Sequence, residues 1–469
     1  MLLLFIGLYL LLNVFIGVWA ARRVKNTSDY LLAGRQLPFY ISTAVVFATW
    51  FGSETLLGAS SEFAENGLLG VIEDPFGAAL CLFLVGLFFA KKLYRMNLLT
   101  FGDFYRIRYN RATEISASVF LVVSYFGWVA AQMVAIGIIL NLISGLSLTT
   151  GILAGAAVVV IYTFMGGMWS VSITDFLQTI MIIGGLLVVT FLTVQRLPFE
   201  QVTADLPANF FDFYPQTRSV PDWINYFAMW ITIGLGSIPQ QDVFQRVMSA
   251  KSEKVAVWSS YAAGFLYLTV ALLPLVLTLY AQVLHPELLH GDLQLLLPHL
   301  ILNSSSLAIQ VLFFGALISA IISTASGAIL APAAILSENI IRPYLPAITD
   351  TQLLRLSRFC VLLVSVVSLG LALMKSNIFE LVSSSSALSL VSLFVPLVAG
   401  MLARPVSPFA AILSMLSGMA VWILALYLET EINPLIYGLG GSILGLLVGL
   451  LLKKSETISL PISKKIVRN

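Results

Sequence analysis

The chain has 469 residues, of which 59% are hydrophobic and only 10% are charged. Long apolar runs recur along the whole length, which excludes a large soluble domain. The formal net charge of +2 comes from basic residues dispersed over many segments, which argues against a nucleic-acid partner. We therefore predict an all-α polytopic membrane protein embedded in a lipid bilayer.

The hydropathy pattern predicts thirteen transmembrane helices. With the N-terminus outside and the C-terminus cytoplasmic, all but three of the 25 Lys and Arg residues lie on the cytoplasmic side, an asymmetry typical of inner-membrane proteins. The three exceptions are Arg196, Arg218 and Lys375. The predicted spans are 2–20, 38–63, 71–93, 115–143, 148–165, 170–195, 223–248, 255–283, 302–335, 355–374, 379–402, 408–427 and 435–452.

Two of these spans carry helix-breaking residues in their middle. The first has Gly52 and Gly58 around Glu54, and the second has Gly236 and Pro239. Such breaks free backbone polar groups that hydrocarbon cannot satisfy, so they occur where the helix lines a cavity or the protein interior. Chance is the alternative, because glycine is common in membrane helices.

Each broken span opens a run of five spans. Because five is odd, the second run starts from the opposite side of the membrane, which predicts two inverted repeats of five spans, as in secondary transporters, with a site near the midplane. The predicted organisation is an extra span and loop at 1–37, a first repeat at 38–222, a second repeat at 223–404, and two further spans with a short cytoplasmic tail at 405–469.

Acidic residues inside spans are functional candidates, since a charge at the bilayer centre costs at least ~3 kcal/mol. Glu54 lies in the first broken span, and Glu73 and Asp74 precede Pro75 in the next one. We expect them to meet a cationic group of a substrate. For Glu73 and Asp74 a location at the water-accessible outer interface is an equal alternative.

A hydroxyl-rich stretch at 316–334 lies in an otherwise apolar span. Ser323, Thr324 and the carbonyl of Ala320 offer oxygens of the kind that replace the water of a hard cation such as Na⁺. Asp175 is expected to reach Ser323 and Ser326 from a neighbouring helix and so form a second, charged cation site. The alternatives are hydroxyls bonded to their own helix carbonyls and an aspartate that starts a helix.

Aromatic and amide side chains complete the predicted substrate site. Trp50 and Trp128 are placed to stack around an organic cation, although single tryptophans are more often core residues or interfacial anchors. Buried amides such as Gln132 and Gln240 require hydrogen-bond partners, which a polar solute can supply. The predicted substrate-binding residues are Trp50, Ser53, Glu54, Thr55, Glu73, Asp74, Trp128, Gln132 and Gln240.

The chain resembles the sodium:solute symporter family, which includes bacterial proline and sialic acid symporters and animal glucose and choline transporters. The resemblance covers nearly the whole length and rests on five ordered motifs. They read KNTSDYLLAGRQLP, FATWFGSETLLG, YTFMGGMWSVSITDFLQ, GSIPQQDVFQRVMSAKS and SAIISTASGAILAPAAILSENI. The resemblance implies an inverted 5+5 repeat of the leucine-transporter type, which agrees with the repeat inferred above.

The resemblance also implies ligands. The main sodium site maps to the carbonyls of Ala48, Phe51 and Ala320 and to the hydroxyls of Ser323 and Thr324. A second sodium site, which some members carry, would use Asp175, Ser323 and Ser326, but Gly327 stands where one such member has a serine. The chain looks most similar to the choline-transporter branch, from which it departs at Gln240, where that branch has a tryptophan.

No zinc-protease, Walker, serine-hydrolase or Cys-x-x-Cys motif is present, so an enzyme is not expected. We predict a Na⁺-coupled symporter of an amine, a quaternary ammonium or an amino-acid-like zwitterion in a bacterial inner membrane, without an obligate protein partner. The alternatives are a proton-driven or uncoupled carrier of the same fold, and a membrane-embedded ligand sensor. The tail from Lys453 to Asn469 is too short for the folded output domain that a sensor needs.

Overall fold

A computed structural model of the protein describes residues 1–374, 377–402 and 406–452. Over these ranges the chain is helical and contains no β-strand, which agrees with the predicted all-α class. Lys375, the predicted boundary at 404–405 and the predicted cytoplasmic tail lie outside the described residues.

Ten helical segments of the described chain are long and apolar enough to cross a membrane, so the predicted count of thirteen is not confirmed. Three shorter apolar helices accompany them, Phe39–Trp50, Leu148–Ile161 and Leu293–Asn303. The ten are Leu2–Ala21, Ile72–Met96, Arg111–Ser144, Thr163–Val194, Glu253–Leu284, Leu307–Tyr344, Asp350–Ala372, Ile378–Met401, Pro408–Tyr427 and Pro434–Leu452.

Both predicted breaks are present. Helix Phe39–Trp50 ends at Phe51, whose ψ of 78° is not helical, and the chain resumes as a short π-helical turn that continues into helix Ala59–Gly70. The second broken span consists of helices Val220–Gly236 and Gln241–Ser249. Glycines at the breaks, and Pro239 in the second, explain why neither helix continues.

One predicted boundary is present and one was wrong. The break expected between spans 148–165 and 170–195 lies at Gly167, where two helices within Leu148–Val194 meet at a kink with non-helical backbone angles. Gly167 has φ of +51°, and a Cβ there would lie 2.5 Å from the carbonyl oxygen of Tyr30. The span predicted from residue 302 begins at Leu307, because a separate helix, Leu296–Ser304, precedes it.

Helix Leu307–Ile335 is the centre of the bundle. From Phe313 onward every residue of this helix is buried, and the helix packs against Leu148–Val194, Arg111–Ser144 and Phe39–Trp50. A helix that is apolar on all sides and buried on all sides belongs to the interior of a large membrane bundle. The few hydroxyl groups on it therefore face other helices and not lipid.

Candidate functional site

The end of helix Phe39–Trp50 meets the middle of helix Leu307–Ile335. The Thr324 hydroxyl lies 3.1 Å from the carbonyl oxygen of Ala48, and the Ser323 hydroxyl lies 3.3 Å from the same atom. Both side chains are almost fully buried, with at most 1% exposed. Three of the five predicted sodium ligands are thus in direct contact.

The break explains why the carbonyl of Ala48 is available. In a continuing helix it would accept a bond from the N–H of Gly52, but that N–H points to the carbonyl of Trp50 at 2.8 Å instead. The other two predicted ligands adjoin this contact. Phe51 directly follows the helix end, and Ala320 lies one turn before Thr324 on the facing helix.

Asp175 is fully buried beside the same hydroxyls. Its Oδ1 lies 2.6 Å from the Ser323 hydroxyl, so the structure places this predicted pair together. The Ser326 hydroxyl donates to the carbonyl of Ser323 at 2.9 Å, the helix back-bond anticipated as its alternative. Oδ2 of Asp175 has no hydrogen-bond partner within the described residues.

A second group of polar residues surrounds the three predicted acids. Glu54, Glu73 and Asp74 have at most 7% of their surface exposed, so Glu73 and Asp74 have little of the water access that an outer-interface location was expected to give them. Asp74 accepts hydrogen bonds from Thr55 and from Tyr267, each at 2.8 Å. We call Glu54, Glu73 and Asp74 the acidic cluster.

Gln132 fixes the position of Glu54. Its amide nitrogen donates to Oε2 of Glu54 at 2.9 Å, and its amide oxygen accepts from the backbone N–H of Ser53 at 3.2 Å. Gln132 belongs to helix Arg111–Ser144, so its amide links this helix to the break in the first broken span. In this structure, Glu54 and the backbone N–H of Ser53 therefore supply the hydrogen-bond partners that the buried amide of Gln132 requires.

Among the described residues, the acidic cluster has no basic counterpart. None of the ion pairs within the described residues includes any of its three carboxyl groups. Several polar atoms among the predicted substrate residues are likewise buried without a hydrogen-bond partner in the described part of the chain. They are Nε1 of Trp50, Oγ of Ser53, one carboxyl oxygen of Glu73, Nε1 of Trp128 and both amide atoms of Gln240.

Trp128 stacks on Tyr125, with ring centroids 6.0 Å apart and planes 12° apart, so one face of its indole is already covered. Trp50 is also buried, at the end of the helix that precedes the break. A two-tryptophan cage around a cation therefore has at most one free face from Trp128.

Gly52 lies between the ion ligands and the acidic cluster. A Cβ at this position would be 2.6 Å from the Thr324 hydroxyl oxygen and 2.9 Å from Oε2 of Glu54. The absence of a side chain is therefore what allows the two sets to approach each other. An ion bound by the predicted ion ligands would therefore lie next to the acidic cluster, and a solute bound by the acidic cluster would lie next to the ion ligands.

Two buried residues at the site were not predicted. Tyr267 lies 2.6 Å from the Thr55 hydroxyl and reaches Asp74 from helix Glu253–Val270, but nothing in its local sequence distinguishes it. Arg246 is 2% exposed and acts electrostatically on Asp175. Arg246 is an ionisable residue within the predicted span 223–248, and this position is the sequence signal that could have identified it as a functional candidate.

Comparison with known proteins gives consistent matches. The model of the sodium:solute symporter family matches residues 30–420. The high-affinity choline transporter 1 of Torpedo marmorata is 26% identical over 466 residues, which cover 92% of this chain and 78% of that protein. The high-affinity proline transporter PutP of Bacillus subtilis (strain 168) is 27% identical over 390 residues, covering 77% of this chain and 78% of PutP.

A solved structure shows the same fold. The outward-open, substrate-bound structure of a Na⁺-coupled sialic acid symporter superposes with a TM-score of 0.82. It covers 97% of this chain and 98% of its own, at 19% sequence identity. At this sequence identity the likeness establishes the arrangement of the helices, but it does not establish which ion or solute this chain binds.

Proposed function

Because the chain belongs to the sodium:solute symporter family, we propose that it couples Na⁺ entry to the uptake of a small organic solute that carries an amine, a quaternary ammonium or an amino-acid-like zwitterion. Family membership makes the protein a membrane transporter and not an enzyme. The relatives are named for choline, proline and sialic acid, so they support solute symport without naming this solute.

The observation that carries the solute class is the uncompensated acidic cluster. Buried charges in membrane proteins are paired or mark a substrate pathway, because an unpaired one costs several kcal/mol. Asp74 interacts electrostatically with both Glu54 and Glu73, and none of the three has an ion-pair partner in the described residues. A cationic solute would supply the missing charge.

Na⁺ is the second substrate in this proposal. The carbonyl of Ala48 and the hydroxyls of Ser323 and Thr324 would bind it, together with the carbonyls of Phe51 and Ala320. The ion would then tie the first half of the broken span to helix Leu307–Ile335 and favour the outward-open state. One Na⁺ moving inward across 100 mV supplies about 2.3 kcal/mol, enough to concentrate a neutral solute many-fold.

Alternating access requires two bodies that move against each other around a fixed site. We assign the site to the interface of two inverted repeats, at 38–222 and 223–404, and place the N-terminus outside in a bacterial inner membrane, with no obligate protein partner. The same acidic cluster also favours a second candidate, a proton-driven carrier, because protons on the carboxyl groups would neutralise it as a cationic solute does.

Ligand-dependent thermal unfolding of detergent-purified protein tests the proposal. Amines, betaines, amino acids, sugars and carboxylates are added in NaCl and, in parallel, in KCl at equal ionic strength. We expect an amine or betaine to raise the unfolding temperature in NaCl only, since coupled ligands stabilise the state that binds both. Equal stabilisation in KCl would favour the proton-driven or uncoupled carrier or the sensor.

Two variants assign the sites. The double variant Ser323→Ala, Thr324→Ala should raise the Na⁺ concentration needed for the ligand effect, whereas Ser365→Ala should leave it unchanged. Ser365 is a matched control, because its hydroxyl is also buried and bonded to its own helix, at 2.7 Å from the carbonyl of Val361. Unchanged Na⁺ dependence in the double variant would refute the ion-site assignment.

Glu54→Gln should weaken binding of the cationic ligand, because it removes the charge and retains the shape. A loss of one charge-assisted contact is worth about 1.5–3 kcal/mol, or about 10- to 150-fold in affinity. Wild-type affinity in Glu54→Gln would move the solute away from this carboxylate.

A further inference from the structure

A cavity of about 400 Å³ lies between the loop 204–219, the start of helix Val220–Gly236 and the end of helix Ala59–Gly70. We call it the loop cavity. Its volume is in the range of small-molecule sites. The proposed orientation places this end of the bundle outside, and no part of the proposed mechanism uses the cavity.

The loop cavity is lined by two carboxylates and two tyrosine rings, and by no Lys, Arg or His. The carboxylate of Asp212 makes no hydrogen bond or ion pair within the described residues. The carboxylate of Asp222 accepts a hydrogen bond from the Thr217 hydroxyl at 2.5 Å. Arg218, the basic residue of the loop, is exposed and does not line the cavity. The lining therefore attracts cations.

The tyrosines indicate what kind of cation fits. Tyr226 is 8% exposed, and its hydroxyl has no hydrogen-bond partner in the described part of the chain, so its oxygen is free to accept from an N–H group. Tyr214 stacks on Trp223, with ring centroids 6.5 Å apart and planes 19° apart. A tyrosine ring face attracts an ammonium group but offers no ligand oxygen to a metal ion.

Both walls of the loop cavity are held by hydrogen bonds. The N–H of Leu68 donates to the carbonyl of Phe210 at 2.8 Å, and a Cβ on Gly67 would lie 2.4 Å from the same oxygen. On the other wall, the side-chain oxygen of Asn225 accepts from the N–H of Asn433 at 2.7 Å. The cavity is therefore formed before a ligand arrives.

The loop cavity adjoins the acidic cluster. Asn66 lines the cavity and donates to the carboxylate of Glu62 at 3.0 Å, and Glu62 interacts electrostatically with Glu73 of the cluster. Phe213 of the loop packs edge-on against Phe76, two residues after Asp74, with ring centroids 4.9 Å apart. Successive carboxylates thus lead from the cavity to the cluster, an arrangement that draws a cation along it.

We propose that the loop cavity is a second binding site, which holds a small organic ammonium ion with N–H donors and collects cationic solutes before they reach the acidic cluster. The ammonium group donates to the Asp212 carboxylate and to the Tyr226 hydroxyl, beside the ring of Tyr214. The collecting role rests on the proposed function, whereas binding in the cavity does not.

A cysteine in the loop cavity reports its occupation. Gln216→Cys places a thiol at an exposed lining position, and the native Cys81 and Cys360 are both buried, so N-ethylmaleimide reacts selectively with the new thiol. Propylammonium chloride, at constant ionic strength, should slow this reaction several-fold, and neutral 1-propanol should not. Gln201→Cys, exposed outside the cavity, should react at one rate throughout. No slowing at position 216 would overturn the proposal.

Two variants in the Gln216→Cys background locate the charge that binds. Asp212→Asn should raise the half-protecting propylammonium concentration about two- to fivefold, the size expected for a partly exposed charge pair. Asp205→Asn removes the same charge from an exposed position of the same loop outside the cavity and should leave that concentration unchanged. Equal shifts in the two variants would show a general effect of loop charge and contradict the site.

Glu54→Gln separates the loop cavity from the acidic cluster. Protection at position 216 should persist in this variant, and its loss would place the probe at the cluster, which would overturn the loop-cavity site and leave the proposed function standing. Protection that persists while no ligand gives Na⁺-dependent stabilisation would instead remove the proposed function alone. Protection by CaCl₂ but not by propylammonium would identify a metal site and overturn the ammonium assignment.

Discussion

Gly52→Ala is expected to weaken Na⁺ binding without a change at any ligand atom. The added methyl group would lie 2.6 Å from the Thr324 hydroxyl oxygen and 2.9 Å from Oε2 of Glu54, both closer than the 3.0 Å that real Cβ atoms respect. Overpacking of this kind costs about 1–3 kcal/mol. If the strain falls on the ion-bound state, the half-saturating Na⁺ concentration rises about 5- to 150-fold.

The assay is a Na⁺ titration of purified protein at constant ionic strength, followed by intrinsic tryptophan fluorescence. Gly370→Ala is the control, since a Cβ there meets no heavy atom within 4 Å. This control should titrate like the wild type. A half-saturating Na⁺ concentration within about twofold of the wild type, in folded Gly52→Ala, would refute the reasoning.

Tyr267→Phe should lower the free energy of unfolding by about 1–3 kcal/mol, because it leaves the buried Asp74 carboxylate with one donor fewer. An unchanged unfolding temperature would contradict this. Gly167→Ala should lower the unfolding temperature more than Gly145→Ala does. Both glycines have positive φ, +51° and +72°, but only at Gly167 would a Cβ meet the Tyr30 backbone, whereas nothing lies within 4 Å at Gly145. Equal shifts would show that the Tyr30 contact is unimportant.

The fold was predictable where local chemistry is strong. Long apolar runs predict spans, and the Gly and Pro residues around positions 52 and 239 predict the two breaks, because both residue types disfavour a continuous helix. The break at Gly167 lies between the spans predicted at 148–165 and 170–195, where glycine permits the positive φ that ends the helix. The separate helix Leu296–Ser304 was missed, because serine is tolerated inside membrane helices and its break at 305–306 carries no stronger signal.

The site was predictable in part for the same reason. Ser323 and Asp175 carry a chemical signal in apolar segments, and they do meet in the structure. The contacts of Tyr267 and Arg246 depend on how helices distant in the chain pack together, which local patterns do not encode. The role of Gly52 became visible only when the atoms on both sides of it were placed.

Gly52 lies between the proposed solute site and the proposed Na⁺ site. Glu54 lies on one side of it, and the Ala48 carbonyl and the Thr324 hydroxyl lie on the other. Mutation at position 54 can therefore change the cargo while the ion dependence persists. In related proteins, single substitutions at position 54 can thus change the solute specificity. A side chain at position 52, in contrast, affects solute binding and ion binding together.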